Sequence, residues 1–314
     1  MAQTLLLFVY SLCYIGKHTY IHFMNENQQD SRSYIDKYFA IYHRYTILHM
    51  STYTRLVSVI IPTKNDEKTL TKCLFSIKQQ SYQNIEIIVI DGFSTDQTKN
   101  LAEGLGAHVM QLRSERTKAK NYGAQLAKGD YVFFVDSDMI LQPDVVRECL
   151  DACVKGSVGV VIPEASIGKG LWVRIRDFER SMYHGTKVES ARFFARNHVL
   201  EVGGFDEDII MYEESTLPQK LERCGYKVNA RINSFILHNE DGFEIEKWLR
   251  KKQYYSDTLK IYAERYPEYA GEQLDVKNRI KIFLSNGNFK KLVRHPIPAF
   301  GVFVLKALEY AYSR

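Results

Sequence analysis

Three short apolar runs, each halted abruptly by polar residues, set the pattern of this chain. Residues 57–61 (Val-Ser-Val-Ile-Ile), 85–90 (Ile-Glu-Ile-Ile-Val-Ile) and 131–135 (Tyr-Val-Phe-Phe-Val) are dominated by β-branched and aromatic side chains, which predicts buried strands. Helical spacing follows each of them; beyond Ser114, Ala119, Tyr122, Gly123 and Leu126 fall on one face. Strand alternating with helix predicts βαβ units, hence an α/β protein with a mostly parallel sheet flanked by helices. Ser94 and Gln97 have the spacing of a capping box. Pro143 suits a first helical turn, and Gly156 is placed to end that helix. Pro218 puts another helix start close to residue 214, because proline is tolerated in a first turn and not further in.

What halts each run is informative. The first runs into Pro62-Thr63-Lys64-Asn65-Asp66-Glu67, the second into Asp91-Gly92-Phe93-Ser94-Thr95-Asp96, and the third into Asp136-Ser137-Asp138. In open α/β sheets, ligands gather in the crevice beyond the carboxyl ends of the strands. Two carboxylates flanking one serine are costly there unless a cation or hydrogen-bond donors face them. Mg²⁺ on a diphosphate would meet that need, since it commonly sits on one or two carboxylates plus phosphate oxygens.

These motifs, with Ala-Lys-Asn-Tyr-Gly at 119–123 and Gly-Gly-Phe-Asp-Glu-Asp-Ile-Ile-Met-Tyr-Glu-Glu at 203–214, resemble the family 2 glycosyltransferases over roughly residues 56–239. The resemblance implies a GT-A-like, Rossmann-related catalytic domain over 56–240, with a nucleotide-sugar half (56–140) and an acceptor half (141–240). It implies a nucleoside pocket at Pro62, Thr63, Asn65 and Glu67, with Asp91 accepting a hydrogen bond from the base, typically uracil. Asp136 would contact ribose or metal, with Ser137 beside it, and Asp138 would bind Mg²⁺ or Mn²⁺. His238 matches a position that in some members also reaches the metal or the diphosphate. Glu214 falls where the family has its catalytic base; Glu213 precedes it, and which of the two reaches the acceptor is open. Gly203, Gly204 and Phe205 would shape the acceptor side.

Departures from the family pattern matter as well. Gly92 follows Asp91 where two acids are usual. Lys120 replaces the usual arginine, exchanging a bidentate phosphate contact for a point charge. The Q-x-x-R-W signature of processive synthases is missing, since Gln219 is followed by Lys220-Leu221-Glu222-Arg223, which implies one sugar per encounter.

The expected activity is transfer of a single sugar from a nucleotide diphosphate donor, typically uridine-linked, to a hydroxyl on a glycan or lipid-linked acceptor. One metal and one base fit single displacement with inversion. A helix dipole at residue 214 would keep the base anionic. The alternatives are a polyprenyl-phosphate glycosyl synthase, whose acceptor is a phosphate, and a non-catalytic nucleotide-sugar-binding subunit. A nucleotidyltransferase would show a glycine-rich loop after the first strand, and 62–67 has no glycine. Trp172 and Trp248 read as packing residues.

With 314 residues there is room for one large domain plus additions. The net charge of +5 suits anionic partners such as nucleotide sugars or lipid headgroups, and no nucleic-acid motif accompanies it. Five scattered cysteines (Cys13, Cys73, Cys149, Cys153, Cys224) fit a reducing, cytoplasmic setting. Cys149 and Cys153 share a helix face but lack the partners of a zinc site.

The two ends read differently. Residues 1–55 form an extension of open role, whose apolar stretch from Leu5 stops at Lys17, short of a membrane span and without the basic start of a signal peptide. Met50, just before the first strand, marks 1–49 as an appendage. Residues 241–314 read as helical, with the Tyr-, Lys- and Glu-rich stretch 242–273 covering the acceptor cleft. Lys290, Lys291 and Arg294 precede an apolar run that Lys306 and Glu309 interrupt. Residues 290–312 are expected either to lie on the cytoplasmic face of a membrane or to dock on the catalytic domain.

Overall fold

The structure, a computed structural model, describes residues 54–312 apart from 257 and 286. The 1–55 extension, with Cys13 and Met50, thus lies almost wholly outside the described residues. The first half runs β1 (Val57–Thr63), α1 (Glu67–Lys78), β2 (Ile85–Asp91), α2 (Thr98–Gly104), β3 (His108–Gln111), α3 (Arg116–Leu126) and β4 (Tyr131–Phe134). There follow β5 (Met139–Leu141), α4 (Val145–Val154), β6 (Gly159–Val161), β7 (Glu164–Ile167), α5 (Leu171–Tyr183) and β8 (Ala191–Ala195). Then come α6 (Arg196–Glu201), α7 (Glu213–Arg223), β9 (Ala230–Arg231) and β10 (Ile236–Asn239).

The main sheet has the order β3-β2-β1-β4-β8-β6-β9. The three strands legible in the sequence are parallel neighbours, with Val57 opposite both Ile85 and Tyr131. Their carboxyl ends therefore lie level, Thr63 beside Asp91. β8 enters antiparallel to β4 and β6, and a second sheet, β5-β10-β7, stands apart from the first. Continuous apolar runs arise because both faces are covered. Val59, Ile61, Val89 and Phe133 belong to one buried cluster, whereas Ile60, Ile88, Ile90 and Phe134 belong to another. Gly123 allows α3 to lie against β1, since a Cβ there would stand 2.4 Å from Ile60 Cγ2.

Helix punctuation follows the sequence in part. Gly156, at φ 93°, ends α4 as expected, and Pro143 lies just before the N-cap Asp144. The Ser94/Gln97 capping box does not form: α2 starts at Thr98 without a side-chain cap, and Ser94 Oγ accepts from the Asn65 N–H at 2.8 Å instead. Pro218 sits inside α7, beyond its first turn, so the Glu214 carbonyl loses its helical donor.

The C-terminal third is helical as expected: α8 (Ile245–Ser256), α9 (Leu259–Arg265), α10 (Pro267–Leu274), α11 (Val276–Leu284), α12 (Asn288–Arg294) and α13 (Pro296–Tyr312). One face of α13 docks on α5, where Ala299, Val302 and Leu305 meet Ile175, Phe178 and Met182. Gly301 makes the approach possible, because a Cβ there would lie 2.3 Å from Ile175 Cδ1. Trp172 and Trp248 pack at the edge of this cluster. Among the described residues no helix is long and apolar enough to cross a membrane.

Candidate active site

The three strand ends are laced together before any ligand is considered. Thr63 Oγ1 and Ser137 Oγ both donate to Asp66 Oδ2, at 2.8 and 2.7 Å. Asn65, in the left-handed region at φ 55°, accepts from the Thr95 N–H at 2.8 Å. Glu67 accepts from the Gln97 N–H at 3.0 Å. Asp91 is fully buried and takes hydrogen bonds from the Ser94 N–H (3.1 Å) and Gln111 Nε2 (3.0 Å). Pro62 is buried beside Ile90. The residues expected at the rim do converge there, but Asn65 and Glu67 turn their side chains to the β2–α2 loop. Asp66 and Gln111 were not anticipated.

Below this rim opens a cavity of about 510 Å³, lined by Asp136, Asp138, Lys120, Glu213, Glu214 and His238 among others. Asp136 faces three cations: Arg192 Nη1 at 3.4 Å, Lys120 Nζ at 3.8 Å and Arg116 Nη1 at 4.0 Å. Burial alone would raise its pKa, yet Lys120, Arg116 and Arg192 pull it well below the carboxylate range. Its buried Oδ1 accepts no hydrogen bond among the described residues.

Asp138 sits at the cavity mouth with its side chain 45% exposed. Partial desolvation by the cavity walls, reinforced by the Asp136 charge and opposed by His238, raises its pKa. The β5–β10 pairing sets His238 opposite Met139, and so brings its Nδ1 within 3.9 Å of Asp138 Oδ1. The other ring nitrogen, Nε2, lies 2.8 Å from Glu164 Oε2. Arg192 Nε and Arg180 Nη1 hold that carboxylate at 2.5 and 2.7 Å, keeping it ionised well below its usual pKa despite burial. A proton on Nε2, assigned from this partner, leaves Nδ1 and Asp138 Oδ1 facing each other as two acceptors. A proton or a divalent cation between them satisfies both. Glu164, Arg180 and Arg192 escaped the sequence reading; Arg192, a lone charge inside the apolar β8, was the one signal, since Glu164 opens β7 and Arg180 lies on α5.

Glu213 and Glu214 open α7. The Glu213 side chain is 2% exposed, with Arg116 Nη2 at 2.6 Å and Lys120 Nζ at 3.5 Å. Burial would raise its pKa, but these two cations hold it low. Glu214 turns toward the cavity, and burial, the Glu213 charge and a hydrogen bond from one carboxyl to the other raise its pKa. The expectation that the helix dipole keeps Glu214 anionic is therefore corrected. Adjacent carboxyls do not both ionise cheaply, and the cations stand beside Glu213. Tyr212, the N-cap, adopts φ 64°.

Gly203, Gly204 and Phe205 do not line the cavity. Asn121 clamps their turn to α3, accepting from the Phe205 N–H at 2.8 Å and donating to its carbonyl at 2.9 Å. Gly204 has φ 69°, and a Cβ there would meet Asn121 Oδ1 at 2.3 Å. Phe205 lies 3% exposed beneath Lys120, whose Nζ is 5.6 Å from the ring centroid. The tight turn thus buries Phe205 in the core behind Lys120.

The far wall of the cavity comes from the C-terminal helices. Trp248 of α8 lies 5.2 Å from the Arg176 guanidinium, which grips Glu240 at 2.6 and 2.8 Å. From α13, Lys306 pairs with Glu179 and, at 2.8 Å, with Glu309. Among the described residues no three His, Cys, Asp or Glu side chains are grouped for a metal. Cys73, Cys149, Cys153 and Cys224 are free thiols.

Residues 58–205 match Glycosyl transferase family 2. The glycosyltransferase GlyG of Streptococcus pneumoniae is 34% identical over 116 residues, 35% of this chain and 38% of that protein. Chondroitin synthase of Escherichia coli is 34% identical over 202 residues, 59% of this chain and 29% of that protein. The chain thus spans well under half the length of these curated relatives. Among solved structures, TarS of Staphylococcus aureus in complex with UDP-GlcNAc has a TM-score of 0.52 at 18% identity, covering 82% of this chain and 89% of that one. The mannosyltransferase PcManGT of Pyrobaculum calidifontis, in complex with GDP-Man and Mn²⁺, has a TM-score of 0.53 at 18% identity, covering 82% and 75%. These two likenesses carry the fold.

Proposed function

The chain belongs to glycosyl transferase family 2, and from that premise we propose that it transfers one sugar from a nucleotide diphosphate donor to a hydroxyl acceptor with inversion. The observation that supports this reading is Glu214, a cavity-facing carboxyl of raised pKa in the same chamber as Asp136 and Asp138. A hydroxyl acceptor needs a group that takes its proton as the new bond forms. A phosphate acceptor does not, and so the polyprenyl-phosphate reading leaves Glu214 without work. Glu213, bound to Arg116 and Lys120, stays the anion of the pair and raises the basicity of Glu214.

The uridine assignment rests on Asp91. Its carboxylate is fixed by Ser94 and Gln111, and the lone pairs left over can accept from a base N–H. Thr63 and Pro62 flank it at the end of β1. Lys120 and Arg116 add positive charge toward the departing diphosphate.

Mg²⁺ or Mn²⁺ fits the residues present. Asp136 Oδ1 lacks a hydrogen bond, and His238 Nδ1 faces Asp138 with its other nitrogen tied to Glu164, the support usual for a metal-binding histidine. Asp138 and His238 would hold the ion, with Asp136 beside them and diphosphate oxygens completing its shell. When bound, the ion supplies Lewis acidity to the leaving phosphate. The acceptor is a glycan or a lipid-linked saccharide.

Incubating the protein with uridine, guanosine and thymidine diphosphate sugars plus Mn²⁺, and measuring release of the nucleotide diphosphate, tests the reading. Turnover that Glu214→Gln abolishes supports it. Binding of uridine diphosphate without turnover on any acceptor would leave a non-catalytic subunit.

A further inference from the structure

Residues 276–312 have a surface unlike the remainder of the described chain. Ten of the eighteen large apolar side chains that are exposed fall within this stretch. Ile280 and Leu284 form an i, i+4 pair on α11, and Phe289 and Val293 form another on α12. On α13, Ile297 is 68% exposed and Phe300 is 71% exposed, on the side away from the Ala299, Val302 and Leu305 face that grips α5. The helices adjoin: the rings of Phe283 on α11 and Phe303 on α13 lie 6.4 Å apart.

The charge of this stretch is one-sided. It has seven lysines and arginines against a single carboxylate, Glu309. Glu309 and Lys306 pair with each other and line the cavity, and Arg279 is spent on Tyr183 and Tyr212. What faces outward among the apolar side chains is therefore positive: Lys277, Lys281, Lys290 and Arg294, all exposed.

We propose that the outer face of α11, α12 and α13 binds the surface of an anionic lipid bilayer. Apolar side chains flanked by amines, with no outward carboxylate, match a headgroup layer: the rings and branched chains enter the acyl boundary while the cations meet lipid phosphates. The face is broader than residues 290–312, because α11 adds both apolar and basic side chains to it. An acidic protein partner would meet the same charges, but ten exposed apolar and aromatic side chains set among only four outward cations favour lipid. Resting on the transferase reading above, the inference also names the acceptor. One side of α13 meets lipid and another carries Lys306 and Glu309 into the cavity wall, so the acceptor is a saccharide on a lipid anchor, delivered from the bilayer.

The test is flotation of the full chain with phosphatidylcholine vesicles and with vesicles containing about 30% phosphatidylglycerol, enough to set an anionic surface potential. The chain should float with the anionic vesicles and stay behind with the neutral ones. Combining Val293→Ser, Ile297→Ser and Phe300→Ser should cut vesicle partition roughly tenfold or more, while donor hydrolysis in solution is retained. Failure of the full chain to float with anionic vesicles overturns the proposal, as does flotation unchanged by the triple variant. A vesicle-free dimer seen by light scattering and lost in that variant would also overturn it, since a second copy would then cover the face. Flotation requires no turnover: a chain that floats but never consumes a nucleotide sugar refutes the transferase reading and leaves the lipid surface standing.

Discussion

Arg279 and Tyr212 are joined by a 2.8 Å hydrogen bond from the guanidinium Nη2 to the phenol oxygen. The bond ties α11 to the residue immediately before the two glutamates of the site. Tyr212 is a non-glycine residue in the left-handed region, a conformation that costs about 1–3 kcal/mol and persists only when its surroundings enforce it. Arg279 and the Tyr262 ring, stacked 5.3 Å away, supply that enforcement. Arg279→Met should lower kcat about 10- to 100-fold through misplacement of Glu214, with nucleotide affinity unchanged. Steady-state kinetics beside a nucleotide titration checks both.

The two glutamates should fail differently. Glu214→Gln is expected to cost about 10²–10⁴-fold in kcat, leaving folding and donor affinity intact. Glu213→Gln takes from the nearly buried Lys120 and the half-exposed Arg116 their nearer anion, leaving them Asp136 at 3.8 and 4.0 Å. Removing one partner of a buried pair costs about 3–5 kcal/mol, and the exposure of Arg116 puts the loss near the low end. Denaturant unfolding of both variants separates the two effects.

A pH profile should carry the signature of the pair. Glu214 acts as a base only when deprotonated, and its raised pKa moves the acidic limb of kcat/KM above the ordinary glutamate value of about 4.3. Glu213→Gln removes the neighbouring negative charge and shifts that limb to lower pH. Stability runs in the opposite sense. The lowered pKa of Glu213 contributes stability above its unfolded value, and that contribution is lost as pH falls through the folded value. Wild-type unfolding midpoints should therefore decline more steeply below about pH 4 than those of Glu213→Gln.

Mn²⁺ binding followed by electron paramagnetic resonance, with uridine diphosphate present and no acceptor, should expose the role of Glu164. His238→Ala and Asp138→Asn should abolish the bound-ion signal. Glu164→Gln, which leaves both in place but loosens the ring they depend on, should weaken affinity about 10- to 100-fold. Equal affinity in all four proteins would place the ion elsewhere.

Much of this arrangement was legible from sequence because strand ends announce themselves. β1, β2 and β4 are continuous apolar runs, and their abrupt halts put Thr63, Asp91, Asp136 and Asp138 on one rim. Alternation does not say which of three consecutive polar residues turns inward, and so Asp66 was passed over between Asn65 and Glu67. Glu164 and Arg192 were invisible for a related reason. Each is a single charge in a strand of four or five residues, and the two meet across different sheets that only folding brings together. The resemblance implies an acceptor-side role for Gly203 to Phe205, yet Asn121, from a helix some eighty residues earlier, claims their turn. Lys306 and Glu309 looked like an interruption of an apolar helix. The pairing of Lys306 with both Glu309 and Glu179 turns that interruption into a cavity wall.

The lacing of the β1 and β2 loops through Asn65, Ser94, Thr95 and Gln97 has a consequence for selectivity. These segments are already joined to one another, and Asp91 beneath them is fully buried, so a nucleoside arriving at the proposed site would have to part some of this lacing to reach its carboxylate. In the proposed site, discrimination between bases would then include the cost of loosening that lacing.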